Sequence, residues 1–503
     1  MKKTVAIVAM LAIAFGAAFG QKLADKQVLI IGADANPAGI DPHKSTAYSS
    51  VRITNRVYET LVDMDESGRL VGKLAESWTN PDDTTYVFTV RKGVYFHNGR
   101  LMTAQDVKNT FDRILDPANG CTARSNFSLV ESVTALDDYH VQFKLKQALA
   151  PFISNFTSIY TAIIPKEVLD ANSGSLANVA CGTGPFKLAE WIPDNQVRLV
   201  KHDQYWMAGY PKLDGITYKI IPDEAARLAA LRTGSIHYTT LSAQNVELVA
   251  RNKNIVVKSY QTRDYYFLGF NFTQKPFDDV RVRQAFSLAV DRQDIIKKAL
   301  KGEGIVAGAV SPTLEQWAID VSKNPWYKKN VAKAKALLAE AGYPSGLDVE
   351  MTVPSSYPDV VAVSQVLQQQ LAAAGIRVTI KQMEIGQYVA AWKSKGHQVM
   401  AGKNGAGIDP DRSLYFFFHT KGSANVWGYS NPEFDSLVEQ AKVTIDQSKR
   451  AALYAKAQEI LYADAANVFF ASPKTYCFIS SKVKGFEPIV SNPEDFKFAT
   501  ILK

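Results

Sequence analysis

Chargeable side chains and glycines meet in Val399-Met-Ala-Gly-Lys-Asn-Gly-Ala-Gly-Ile-Asp-Pro-Asp-Arg412. The stretch reads as the end of a strand followed by a glycine-rich loop, and glycine lets backbone approach a bound molecule closely. Lys403 offers an ammonium, Asn404, Gly405 and Ala406 line the loop, and Asp409 and Asp411 offer carboxylates. If Lys403 turns into a cleft, it suits an anionic or polyhydroxyl solute; the competing reading is a lysine that snorkels to water. Asp409 could receive an ammonium, or with Asp411 simply cap the loop. A secreted hydrolase using both aspartates as acid and base is a distant alternative. Residues two apart, with a proline between them, have no reason to face each other across a scissile bond. No G-x-S-x-G, H-E-x-x-H or Ser–His–Asp arrangement can be named either, so no enzyme is expected.

Seven histidines are scattered, and no Cys or His pair has ligand spacing. Neither a metal site nor a cofactor is expected, although a nickel or haem ligand could still use one His. Gly182-Thr-Gly-Pro-Phe186 could cradle phosphate, but the Lys-Ser/Thr that a P-loop needs does not follow. Gly182, Gly184 and Pro185 read instead as a tight backbone path into a strand.

The elements that must hold these residues follow from periodicity. Tyr265–Phe272 is an apolar strand that stops at Lys275-Pro276, because proline biases the residue before it away from the helical region. Tyr265 and Tyr266 offer either a stacking wall or core aromatics. Asp278 or Asp279 is placed to cap a helix carrying Val282, Ala285, Phe286 and Ala289, and Asp291 to cap a second. Val28–Ala33 reads as a buried strand, followed by a turn-rich loop, Asp34 to His43, that contains Asn36. Thr103 to Asp106 starts a helix to Leu115, and Asp223–Arg232 is a helix stopped by Gly234. Val349–Val353, Val360–Ala374 and Ile376–Gln382 alternate strand, helix, strand, and Val468–Ile479 is a further strand. The fold class is α/β.

A chain of 503 residues is too long for one core, so two or three domains are expected. Hydrophobic content of 47% and charged content of 21% describe a soluble globular protein. Residues 1–20 differ: Lys2 and Lys3 precede the apolar run Val5–Phe19, with small residues at Ala18 and Gly20 before Gln21. This is a secretory signal peptide, and the run is short of the roughly 20 residues needed to span a membrane. No cysteine near the cut supports a lipid anchor, which makes the expected product a freely soluble periplasmic protein, not embedded in the membrane. The net charge of +8, about +6 without the leader, is spread along the chain, so nucleic acid is not a partner. Cys121, Cys181 and Cys477 are the only cysteines. A Cys121–Cys181 disulfide would close a loop of about 60 residues, worth ~4 kcal/mol, against the alternative of buried free thiols.

The wording of several segments is specific. Gly269–Leu300 contains F-N-x-x-x-x-P-F-D-D-V-R-V-R-Q-A-x-S-L-A-V-D-R; His97-Asn-Gly-Arg, Gly182-Thr-Gly-Pro-Phe186 and Leu337-Leu-Ala-Glu-Ala-Gly-Tyr-Pro344 add to it. Together they resemble the extracytoplasmic solute-binding proteins of family 5, the oligopeptide-, dipeptide- and nickel-binding receptors of ABC importers. The resemblance covers nearly all of the mature chain. It implies a two-lobed periplasmic binding protein (type II, cluster C) with three domains and an interlobe ligand cleft. Domain I would comprise 21–58, 183–267 and 473–503, domain II 59–182, and domain III 268–472. Gly182, Gly184 and Pro185 would mark the crossover between domains II and I. A monomer delivering a peptide or other small solute to permease transmembrane subunits is implied; coupling to a chemoreceptor is not separable from import.

By the same resemblance Asn36 falls where some peptide-binding members place a contact. Anchored on Asp409-Pro410-Asp411, the Asp that receives a peptide's ammonium becomes Ala406, while the Trp and Thr positions become Lys403 and Asn404. The basic residue for the peptide carboxylate should follow Val349–Val353, but Pro354-Ser-Ser-Tyr-Pro358 has none. Both ends of the peptide clamp are altered. The solute is therefore expected to be peptide-like with Asp409 in the amine role, or alternatively an opine, a sugar derivative or a carboxylated compound.

Overall fold

The structure is a computed structural model that describes residues 22–65, 68–405 and 407–503. The expected leader and Ala406 lie outside the described residues.

An eight-stranded sheet is built around Val28–Ala33, which runs parallel to Gly215–Ile220 on one side and to Tyr238–Leu241 on the other. Gln196–Lys201 and Phe186–Ile192 continue the first side as a hairpin. Ala471–Ser480 continues the second, pairing with Tyr238–Leu241, Ile255–Gln261 and Gly304–Val306. A five-stranded sheet has the order Ile376–Met383, Leu347–Pro354, Val399–Asn404, Tyr265–Phe270, Asn467–Phe469. Its first three strands are parallel and its last two pairings antiparallel. The crossover helix Pro358–Ala372 buries Val360, Val363, Leu367 and Leu371 against the sheet, a stripe of helical period. A four-stranded antiparallel sheet, Ala75–Asp82, Thr85–Val90, His140–Leu145 and Val130–Ala135, is covered by the helix Ala104–Leu115.

Each large sheet has its own apolar core. That of the four-stranded unit is aromatic: Phe88, Phe111, Phe127, Phe143, Phe152 and Phe156 meet mostly edge to face, as the ring quadrupoles favour. Cys121 and Cys181 are buried in this core as free thiols, so the disulfide weighed above is not formed. Cys121 Sγ lies 3.6 Å from the Arg113 carbonyl oxygen, and burial pushes both thiols above their ordinary range, which disfavours the thiolate that oxidation requires.

Local signals carried through to the helix ends. Asp279, not Asp278, caps Val280–Ala289 by accepting from the Arg281 N–H, and Asp291 caps Arg292–Ala299. Thr103 and Asp106 form a reciprocal capping box. Gly234 has φ +75° after Glu224–Arg232. The strand expected over Val468–Ile479 is instead two strands in different sheets, Asn467–Phe469 and Ala471–Ser480. Ile255–Gln261 and Tyr265–Phe270 make the same change of sheet. The two crossing segments are tied by Thr262 N–H to Pro473 O (3.0 Å), Ser472 Oγ to Thr262 O (2.8 Å) and Gln261 Nε2 to Ser472 O (2.7 Å). Residues 262–264 therefore lie in the junction between the eight- and five-stranded sheets.

Candidate functional site

Antiparallel register sets Tyr265 opposite Asn404 and Tyr266 opposite Lys403. One step further, an added Cβ on Gly405 would stand 3.6 Å from Asp264 Oδ1. The loop singled out in the sequence thus faces the junction segment. Beside them begins the helix Pro358–Ala372, which contributes Asp359 in its first turn.

Lys403 is exposed to water, as the snorkelling reading expects, but it does not stand free. Its Nζ donates to Asp359 Oδ2 at 3.1 Å and lies 5.7 and 5.8 Å from the ring centroids of Tyr266 and Tyr357. The Tyr266 hydroxyl donates to the same carboxylate oxygen at 2.6 Å. Burial alone would raise the Asp359 carboxyl, but the Lys403 ammonium and these bonds outweigh it and hold it below its ordinary value. Tyr265 and Tyr266 are buried core aromatics and not an open stacking wall. Tyr265 packs edge to face on Phe469 at 5.4 Å, and Asn404 Nδ2 donates to its hydroxyl at 3.4 Å.

Asp409 is engaged elsewhere. It caps Pro410–Ser413 by accepting from the Asp411 N–H at 3.0 Å. Both its oxygens also accept from Arg450, at 2.6 and 2.7 Å. The amine-binding role considered for Asp409 is thereby corrected: a guanidinium already neutralises it. Asp411 is half-buried beside it, its inaccessible Oδ1 lacking a hydrogen-bond partner, and desolvation, then the nearby Asp409 charge, pushes its carboxyl up to about 6.

Asn36 Oδ1 accepts from Trp191 Nε1 at 3.1 Å and from the Asp194 N–H at 3.4 Å, tying the first loop to the hairpin of the eight-stranded sheet. At the crossover, added Cβ atoms on Gly182 and Gly184 would meet backbone oxygens of Val57 and Arg56 at 2.2 and 2.6 Å. Thr183 between them donates to the buried Glu59 at 3.0 Å. Tyr205 OH and Trp206 Nε1 donate to the same carboxylate, at 2.7 and 2.9 Å.

Sequence reading passed over three residues of this region. Asp359 follows Tyr357-Pro358, a helix-start signal that could have flagged it. Asp264 precedes the strand carrying Tyr265, and Arg412 closes the quoted loop. Asp264 has neither an ion pair nor a hydrogen-bond donor to its carboxylate among the described residues, and burial raises its pKa despite Lys403. Arg412 lays its guanidinium 3.6 Å from the Phe416 ring centroid, and no acceptor for it is found among the described residues. Next to Asp264, Arg263 Nη2 lies 3.1 Å from Met64 Sδ in Val62–Met64, so the junction touches the region before the four-stranded unit. A second contact closes the same side: the Ala150 N–H donates to Lys442 O at 2.8 Å. The site is therefore a polar seam where the five-stranded unit meets the other two.

Another groove, about 440 Å³, lies on the five-stranded unit by Arg292, Val306, Asp320, Tyr327 and Lys329 and holds none of the residues above. Among the described residues, no group of three or more His, Cys, Asp or Glu could hold a metal ion, and no helix is long and apolar enough to cross a membrane.

Comparison with known proteins gives a consistent picture. The sequence pattern of the family described as "Bacterial extracellular solute-binding proteins, family 5 Middle" matches residues 69–425. The glutathione-binding protein GsiB of Escherichia coli strain K12 is 30% identical over 471 residues, 91% of this chain and 91% of its own. The ABC transporter-associated periplasmic binding protein DppA of Helicobacter pylori, solved in complex with the peptide STSA, superposes with a TM-score of 0.80. It is 30% identical and covers 96% of this chain and 99% of its own. The oligopeptide-binding protein AppA of Bacillus subtilis, solved with a nonapeptide, gives a TM-score of 0.79 at 26% identity, covering 96% and 100%.

Proposed function

The chain belongs to family 5 of the bacterial extracellular solute-binding proteins, and from that premise we propose that it captures a peptide-like solute in the periplasm and hands it to the transmembrane subunits of its permease. Its α/β fold is that of the cluster C periplasmic binding proteins, and its role is that of a substrate-binding protein of an ABC importer. The family is one of binding proteins, not of enzymes.

The ligand class rests on one observation above others: the relatives named for glutathione and for peptides align over almost the whole chain. The non-peptide alternative, an opine, sugar derivative or carboxylated compound, drew on Ala406 at the usual amine-binding Asp position and on a free Lys403; the pairing of Lys403 with Asp359 withdraws only the second of these supports.

The solute would lie in the seam between the five-stranded unit and the other two, against the loop Lys403 to Asp409 and the junction 262–264. Cleavage of residues 1–20 would release the mature protein, acting as a monomer. The division into domain I (21–58, 183–267, 473–503), domain II (59–182) and domain III (268–472) would let the lobes close as rigid bodies about their connections. Gly182, Gly184 and Pro185 fit a firm join between domains II and I. The Ala150–Lys442 and Arg263–Met64 contacts are of the kind that a closed form would use.

Mass spectrometry of what purified mature protein releases on denaturation tests the reading. Peptides or glutathione-like masses are expected; a lone sugar or another compound without amide bonds would overturn it.

A further inference from the structure

Arg263 lies in the junction between the two large sheets, and among the described residues its guanidinium meets no oxygen. Its one partner is a sulfur: Nη2 stands 3.1 Å from Met64 Sδ. Nε, which water does not reach, has no partner. Burial lowers the pKa of the group to about 10, with no carboxylate opposing it among the described residues. A thioether is a weak acceptor, so this desolvated cation is poorly matched. Arg56, Arg113 and Arg227 also leave Nε unpartnered, but each donates from another nitrogen to an oxygen.

The geometry at Arg263 shows what would match it. Nε–H and Nη2–H of a guanidinium run parallel along one edge, and the Met64 sulfur takes only the second of them. An oxygen carried by that sulfur could accept from both. Met64 is 6% exposed, whereas Met102, Met351 and Met400 are wholly buried. Met207 and Met383 are half-buried, and neither sulfur meets a hydrogen-bond donor among the described residues. Beside Met64 Sδ stands Gly68, whose added Cβ would lie 3.9 Å away, so no side chain crowds the sulfur from there. Three rotatable bonds let the methionine turn an added oxygen toward the guanidinium.

We propose that Met64 is an oxidation site: hydrogen peroxide converts its thioether to the sulfoxide, whose oxygen bonds Nε and Nη2 of Arg263 and anchors the junction to the strand Val62–Met64. The sulfur lone pair attacks one peroxide oxygen, the S–O bond forms and the O–O bond breaks. Sulfur loses two electrons and the peroxide gains them; the second oxygen takes the proton of the first and leaves as water. The product is a strong, charge-assisted acceptor in place of a weak one. Residues 262–264 join the two large sheets, and Ser491 Oγ donates to Met64 O at 3.5 Å, so the new bond ties the junction to the last segment of the chain as well. Methionine sulfoxide is reducible, which makes the stiffening reversible. The inference goes beyond the solute-binding reading and needs no knowledge of the solute.

The test uses the mature full chain, treated with hydrogen peroxide and then freed of it. Peptide mapping by mass spectrometry is expected to find one added oxygen on Met64, Met207 and Met383, and none on Met102, Met351 and Met400. Hydrogen–deuterium exchange of residues 262–266 is expected to slow by roughly tenfold on oxidation. Treated Met64→Leu should exchange at the untreated rate, which separates Met64 from the other two sulfoxides, and so should treated Arg263→Leu. Untreated Met64→Gln, whose amide oxygen stands in for the sulfoxide oxygen, should exchange slowly without peroxide. Met64 left intact while Met207 and Met383 are converted would overturn the site. Oxidised Met64 with unchanged or faster exchange at 262–266 would overturn its action through Arg263, as would equal slowing in treated Met64→Leu.

Discussion

Asp409 and Arg450 meet through both carboxylate oxygens, at 2.6 and 2.7 Å, with the side chains 11% and 5% exposed. Arg450 Nε also donates to Ala441 O at 2.9 Å and Nη2 to Tyr454 OH at 2.9 Å, so the guanidinium is surrounded by acceptors. The pair locks the helix Gln447–Ala463 to the start of Pro410–Ser413, and so fixes where the glycine-rich loop ends. Removing one member leaves a buried charge unmatched. Arg450→Met is expected to destabilise by about 3–5 kcal/mol, and Asp409→Leu with Arg450→Met by much less. Chemical denaturation of the three proteins measures this; equal losses would mean that packing, not charge, dominates.

Gly184 is a matter of space. Its Cα sits where an added Cβ would lie 2.6 Å from Arg56 O and 2.7 Å from Val57 C, backbone atoms that cannot swing aside. Gly184→Ala should cost about 1–3 kcal/mol through overpacking. Gly99, at φ +87° with no atom within 4 Å of its added Cβ, should cost only about 1–2 kcal/mol on the same change, from backbone strain. Melting temperatures of the two variants compare the effects directly.

Asp411 makes stability depend on pH. Burial first, then Asp409, raises its carboxyl from 3.8 to about 6 in the folded protein, so folding favours its protonated form. The associated stabilisation is complete below about pH 4 and is lost as the pH rises through about 6, a difference of about 3 kcal/mol. Asp411→Asn, which cannot ionise, should melt higher than the parent at about pH 7.5 and close to it at about pH 4. A parallel shift at both values would rule out titration of this group.

The cysteines give a chemical check. Cys121, Cys181 and Cys477 are buried free thiols. Alkylation should label none of them in the folded protein and all three after denaturation without a reductant. Labelling of Cys477 alone would show a Cys121–Cys181 bond.

The sequence alone determined most of the elements, the fold class and the family, but not the break of Val468–Ile479 into strands of two sheets. Asp279, Asp291 and Asn431 cap their own helices, a decision made within four residues and readable without any tertiary contact. The segment Gly269–Leu300 and the crossover glycines carried the family in the same local way. Charge pairing was not readable, because each ion pair joins distant segments: Lys403 to Asp359 across 44 residues, Arg450 to Asp409 across 41. Lys403 and Asp409 looked like free ligand groups in a glycine-rich loop, and Asp264 looked like an ordinary residue before a strand. Only the antiparallel register of Tyr265–Phe270 with Val399–Asn404, and the packing of two helices beside it, decided which charges were matched and which stayed open. Coulomb attraction acts over a few ångströms of space, and chain separation says nothing about that distance until the sheets have formed.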